Sequence, residues 1–283
     1  MIRLRAGDWR AVVDPDLGGS IAELTWRGRP VLRTTAPDAD DPLQTACFPL
    51  VPYANRVARG RFVFGGRAFD VGVTPGFEPH ALHGLGWRSP WTAGMTGPAN
   101  ASLTLRHAGG GNWPWAFSAT QRLHLSASGL RIDLSMTNTD HEVQPAGLGL
   151  HPYLERLPGD RLTIGAPRVW RTDESLLPCE LAPAATVFDW SDGPDLADAP
   201  FVDNAYEGWN GVARLDHADW SVTVASTGTH RVHVYAPPDV GFVCVEPVSH
   251  RPDALNGPGG EACGLALLQS GETRSLSMTI AAV

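Results

Sequence analysis

Short runs with an apolar residue at every second position recur along this chain, and they constrain its fold more than any other feature. Ser102–Arg106 (SLTLR), Leu130–Met136 (LRIDLSM), Trp220–Val224 (WSVTV), Arg231–Tyr235 (RVHVY) and Ser275–Ile280 (SLSMTI) all show it. Successive side chains on a strand point to opposite faces, so each run reads as a half-buried strand. The 31 glycines and 24 prolines fall largely between such runs and read as turns. No helical stripe is longer than about three turns. Many short strands with little helix predict an all-β chain of stacked antiparallel sheets. The Pro-, Ala- and Asp-rich stretch 178–200 is expected to be a long surface loop. Strand patterning continues on both sides of it, so 1–283 is expected to form a single domain.

Composition removes several functions. The formal charge is -8 with no basic cluster, so no nucleic-acid partner is expected. All 22 basic residues are arginine. Without lysine there is no Schiff-base chemistry and no phosphate-binding loop ending in Lys-Ser or Lys-Thr. No apolar run approaches a membrane span, so no membrane partner is expected. The opening MIRLRAGDWRAVVDPD lacks the apolar core of a secretory signal, and a cytoplasmic location is expected. Cys47, Cys179, Cys244 and Cys263 are far apart without metal-type spacing and read as reduced thiols.

Five segments stand out from this scaffold. In Phe48–Arg56 (FPLVPYANR), Asn55 and Arg56 offer an amide and a guanidinium fork, both suited to hydroxyl groups. In His80–Trp87 (HALHGLGW), two histidines three apart would point to opposite faces of a strand, so hydrogen bonding is favoured over metal binding; Trp87 offers a surface for stacking on a sugar. In Gly147–Leu154 (GLGLHPYL), Gly147, Gly149 and His151 would share a strand face. The glycines leave room that a ligand could fill in front of the imidazole, and Pro152 suggests that the strand gives out there. Val202–Trp209 (VDNAYEGW) mixes acids, an amide and aromatics. In Phe242–Pro247 (FVCVEP), Glu246 ends an apolar strand directly before a proline, as His151 does. Buried glutamates are rare unless paired or functional, so the two suggest an acid and a base.

Taken together, PYANRVARGRF at 52–62, HALHGLGW at 80–87, GLGLHPYL at 147–154, DNAY at 203–206 and VCVEPVSHRPDALN at 243–256 resemble the aldose 1-epimerase (galactose mutarotase-like) family in order and spacing. The resemblance implies a large twisted β-sandwich with a carbohydrate cleft on one sheet. It matches Glu246 to the family's general base and His151 to its general acid. His83 matches the second active-site histidine, Asn55 and Arg56 match sugar-binding positions, and Asp203 matches a hydroxyl-binding acid. Tyr153 joins the substrate-binding set. The better-known galactose mutarotases carry His-Thr-Tyr where this chain has His151-Pro152-Tyr153, which leaves the sugar open.

The implied reaction is anomer interconversion of a neutral or singly charged aldose, with no cofactor and no metal. The glutamate is expected to be ionised and the histidine protonated, the two facing each other across a gap one pyranose wide. Three alternatives stand beside it. A glycoside hydrolase would use Asp203 with Glu246. A sugar-phosphate epimerase would gather Arg56, Arg59, Arg61 and Arg88. A non-catalytic carbohydrate-binding protein would need neither a buried acid nor a base. His230, His233 and His250 have no assigned role, and monomer and homodimer are both open.

Overall fold

The computed structural model describes residues 1–257 and 263–283. The alternating runs become strands. Ser102–Arg106 lies within Asn100–Gly110, Leu130–Met136 within Gly129–Asn138, and Ser275–Ile280 within Thr273–Ala282. Arg231–Tyr235 lies in Arg231–Ala236, while Trp220 stands one residue before its strand, Ser221–Thr227. Helix among the described residues is confined to single 3-10 turns of three residues. None is long and apolar enough to cross a membrane.

Two antiparallel sheets carry the architecture. One has eleven strands; its centre runs Cys47–Leu50, Gly149–Glu155, Phe242–Pro247, Arg231–Ala236, Val202–Glu207 in spatial order. The other has eight, with Asn100–Gly110, Trp113–Ser126, Gly129–Asn138 and Thr273–Ala282 side by side. Their inner faces share one apolar cluster, to which Val232, Val234, Val243 and Val245 contribute from the first sheet and Leu103, Phe117, Ile132 and Leu276 from the second. Full burial of such side chains stabilises by roughly 1.5–3 kcal/mol each. The result is a large twisted β-sandwich.

Alternation fixes what the outer face of the eleven-stranded sheet presents. With Val243 and Val245 turned inward, Phe242, Cys244 and Glu246 must turn outward; with Val232 and Val234 inward, His233 and Tyr235 face out. Phe48, Trp87, Tyr153 and Cys244 form a second, smaller cluster on that outer side.

The stretch 178–200 differs from its expectation. Pro178–Pro183 is an edge strand paired with Arg168–Thr172. Trp190 and Leu196 are buried in the core, so two apolar anchors hold down what composition alone makes look like a surface loop.

Candidate active site

Strand register assembles the site in two rows. Tyr153 is level with Cys244, Cys244 with Tyr235, and Tyr235 with Asp203. Two residues along, on the same face, Phe48 is level with His151, and Glu246 is level with His233. The same antiparallel register sets His151 opposite Glu246, between the ladder that ends at Tyr153 and the bridge from Gly149 to Val248.

Pro152 explains why the ladder is open at this point. The Tyr153 N–H donates toward the Cys47–Leu50 side, to Ala46. Amides alternate sides along a strand, so residue 152 faces Val245, and proline has no N–H to give. The strand does not give out at His151, as the sequence suggests; it continues to Glu155 and changes hydrogen-bonding partner at the proline.

All seven anticipated residues (Asn55, Arg56, His83, His151, Tyr153, Asp203 and Glu246) line one open cavity of about 420 Å³, a size suited to a small ligand. His151 Nε2 lies 3.3 Å from Glu246 Oε1. The gap of one pyranose is therefore corrected: the two groups stand side by side on the cavity floor. Both are buried, yet Glu246 Oε2 and His151 Nδ1 have no hydrogen-bond partner among the described residues.

Electrostatics revises the expected charges as well. Burial, then the charge of Asp203, pushes the Glu246 carboxyl well above its ordinary value. Burial, then His233 and Arg33, pushes the His151 imidazole well below its own. Desolvation disfavours a charged form on either group, so the empty cavity favours a neutral pair over the expected carboxylate and imidazolium.

The imidazole is held against rings. Phe48 and Tyr153 both pack against the His151 ring, each with ring centroids 4.6 Å apart, and the two lie 6.1 Å from each other. Trp87 stacks behind Phe48 and is fully buried, so it supports the floor and is not a surface for a sugar. His83 stands edge-on to His151, and its Nδ1 accepts from the Asn55 amide at 3.0 Å. The Nδ1 of His80 accepts from the Arg59 amide at 3.2 Å. The two histidines are thus hydrogen-bond acceptors for two different turns.

A second charged group faces the pair. The Nε2 of His233 donates to Asp203 Oδ1 at 2.7 Å, and Arg56 Nη2 lies 3.2 Å from Asp203 Oδ2. Burial alone would raise the Asp203 carboxyl; His233 first, then Arg56, brings it down to about 2. Asn55 accepts the Arg56 amide on its side-chain oxygen and turns its amide nitrogen toward His233.

The glycine spacing has a different cause from the one expected. A Cβ at Gly147 would run into the ring of His250, and one at Gly149 would meet Leu50 and Val248 at 3.0 Å. Protein fills the space. His250 is structural: its Nε2 accepts the Ala54 amide at 3.0 Å and its Nδ1 donates to the Arg251 carbonyl at 2.8 Å. Of the arginines suggested for a phosphate, Arg56 alone lines the cavity; Arg61 pairs with Asp70 at the surface and Arg88 lies over Trp87.

Sequence reasoning missed His233, Tyr235 and Arg33 as cavity residues. The alternation of Arg231–Tyr235 put His233 and Tyr235 on the polar face, which was the available signal. Arg33 had none, because it follows a two-residue strand and reaches the cavity through the bridge of Leu32 to Leu154. Among the described residues, the ligand atoms of His151, Cys244 and Glu246 lie within 4.8 Å of one another, and these three could hold a divalent ion.

A large β-sandwich with a buried acid–base pair in an open cavity on its outer face belongs to the galactose mutarotase-like class. The profile described as aldose 1-epimerase matches residues 1–281, and the chain belongs to that family. It is 31% identical over 276 residues, 93% of this chain and 92% of the relative, to YphB of Escherichia coli (strain K12), described as uncharacterized. A crystal structure of an Escherichia coli K12 protein provisionally called an aldose 1-epimerase superposes with a TM-score of 0.91 at 28% identity, covering 100% of this chain and 98% of that one. A galactose mutarotase-like protein from Clostridium acetobutylicum shares the fold, with a TM-score of 0.88 at 20% identity over 99% of this chain and 94% of that one.

Proposed function

We propose that this chain is an aldose 1-epimerase interconverting the α and β anomers of a neutral or singly charged aldose by acid–base ring opening and closure. The observation that carries the reading is the His151–Glu246 pair, its Nε2 and Oε1 3.3 Å apart on the floor of an open cavity, with Nδ1 and Oε2 lacking a partner among the described residues.

The sugar's hydroxyl oxygen and ring oxygen share one carbon, C1. Groups that serve both must stand close together, and this pair does. Glu246 takes the proton from the C1 hydroxyl while His151 gives one to the ring oxygen. The bond from C1 to the ring oxygen breaks and an open-chain aldehyde forms. Rotation about C1–C2 presents the other carbonyl face, and closure returns both protons with the roles reversed. The pair has two proton placements, carboxylate with imidazolium or carboxylic acid with imidazole, which differ by one short transfer. A hydroxylated ligand lying over the pair lets the first replace the neutral arrangement that burial favours in the empty cavity. Asn55, Arg56, His83, Tyr153 and Asp203 hold the remaining hydroxyls in this reading. The chemistry draws on no cofactor.

A retaining or inverting hydrolase fits less well, because both oxygens of Asp203 are engaged by His233 and Arg56. A pure binding module would gain nothing from two buried titratable groups. Anomer exchange measured by NMR across hexoses, pentoses, acidic and phosphorylated sugars tests the proposal. Catalytic protein concentrations are expected to accelerate exchange of at least one aldose; spontaneous rates throughout would end the proposal, and release of reducing sugar from a glycoside would replace it.

A further inference from the structure

The cavity contains one cation that this reaction does not use. Arg33 lies on the wall beside Tyr153. Its Nε donates to the Thr45 carbonyl at 2.9 Å, and its Nη2 donates to the Leu43 carbonyl. Its guanidinium carbon sits 3.4 Å from the centroid of the Tyr153 ring and 5.0 Å from that of Phe242. Two carbonyls and two rings hold the guanidinium, and among the described residues Nη1 has no hydrogen-bond partner.

Nothing fixed to Arg33 neutralises it. Among the described residues no carboxylate lies within ion-pair distance, and burial weakens its hold on its proton. The contrast is Arg56, whose charge Asp203 matches. A partly buried guanidinium without a counter-ion is costly, and the planar fork suits a carboxylate. Arg33 and His151 both pack against the Tyr153 ring, 3.4 Å and 4.6 Å from its centroid, so the guanidinium is a near neighbour of the imidazole. In an aldohexopyranose the ring oxygen that His151 serves is bonded to C5, which carries the exocyclic carbon.

We propose that the cavity is built for an aldose with one anionic group on that exocyclic carbon, a hexuronic acid, and that Arg33 is its carboxylate receptor. The inference rests on reading the cavity as an anomer-exchange site. One unmatched cation suits one negative charge; a phosphate dianion would find no second free arginine, since Arg56 is already paired. The bound carboxylate would also offset one of the positive charges that disfavour protonation of His151, so it assists the chemical step as well as binding.

Exchange NMR on the wild-type chain with galacturonate, glucuronate, the methyl ester of each, galactose, glucose and glucose 6-phosphate tests this. For at least one hexuronate, kcat/KM is expected to exceed that of its neutral ester by about 10- to 150-fold, the worth of a charge-assisted hydrogen bond. Arg33→Met is expected to bring acid and ester to the same kcat/KM, and Arg33→Lys to keep part of the preference. Equal rates for acid and ester in the wild type, a preference that survives Arg33→Met, or faster turnover of glucose 6-phosphate than of either hexuronate would overturn the inference. The wild-type ratio decides even where the methionine variant does not fold. Exchange of neutral hexoses without a preference for the acid would remove this inference alone; no exchange with any sugar would remove the epimerase reading with it.

Discussion

Three buried histidine–carboxylate pairs occur among the described residues, and two of them, His217–Asp160 and His151–Glu246, are built to opposite ends. His217 Nδ1 lies 2.9 Å from Asp160 Oδ1, and the other oxygen of Asp160 accepts the Leu157 amide at 2.7 Å. The His217 ring lies flat on Trp220, with centroids 4.1 Å apart. Both oxygens of that carboxylate are engaged, although His217 Nε2, like His151 Nδ1, has no partner among the described residues, and neither His217 nor Asp160 lines the cavity over His151. His151 and Glu246 are as deeply buried, but their contact is longer, one carboxylate oxygen is idle, and the cavity opens over them. Burial with all acceptors filled ties strands together. Burial with an acceptor left open, at a cavity floor, keeps a group ready for a proton from outside the protein.

The largest expected effect tests the open pair. Glu246→Gln keeps the shape and removes the base; exchange measured by NMR should fall by roughly 10²–10⁴-fold, a barrier increase of about 3–5 kcal/mol. His151→Asn should fall by a similar factor, because an amide cannot deliver the ring-oxygen proton. Both should melt close to the parent, and near-parental turnover in either would erase the distinction between the pairs. The closed pair should respond the other way. Asp160→Ala leaves a buried histidine unpaired and should cost about 3–5 kcal/mol in denaturant unfolding, with kcat per folded molecule unchanged. A loss of kcat without a loss of stability would contradict its structural role.

Acid sharpens the same contrast at His250, whose two ring nitrogens are both engaged. Burial, with help from nearby arginines, holds its folded pKa down to about 4. The ordinary value is about 6.5, so between those limits the unfolded chain binds a proton that the native ring refuses. Stability contributed by this group is complete above about pH 6.5 and is lost as pH falls toward 4, by at most about 3 kcal/mol. Thermal melts across that range should show the slope, and His250→Gln should flatten it. The smallest effect is expected at Gly147→Ala. Its new methyl would meet the His250 ring and should cost about 1–3 kcal/mol by overpacking. A variant as stable as the parent would show that the ring can move aside.

Much of this was legible in the sequence, and the parts that were not share a cause. Period-two alternation is local, so the strands at 102–106, 130–136, 231–235 and 275–280 could be read directly. His151 and Glu246 were marked by the prolines that follow them. What escaped depends on which strands lie side by side. The distance between those two groups comes from a register that no single segment encodes. Gly147 makes room for a histidine about a hundred positions away, and the sequence alone cannot say whether a gap holds ligand or protein. Arg33 sits in an unremarkable stretch and matters because Tyr153 lies beneath it. Stretch 178–200 looked like a loop because Trp190 and Leu196 are isolated apolar anchors without periodicity.

The stack of Trp87, Phe48, His151 and Tyr153 has a consequence for how this protein can be engineered. A ring packed against Phe48, Tyr153 and His83 has little room to swing, so the proposed turnover asks no motion from it; the moving part is the substrate, which spins about one of its own bonds. Speed and rigidity are therefore not in competition here, and a hardened version of the chain should work as fast as the original.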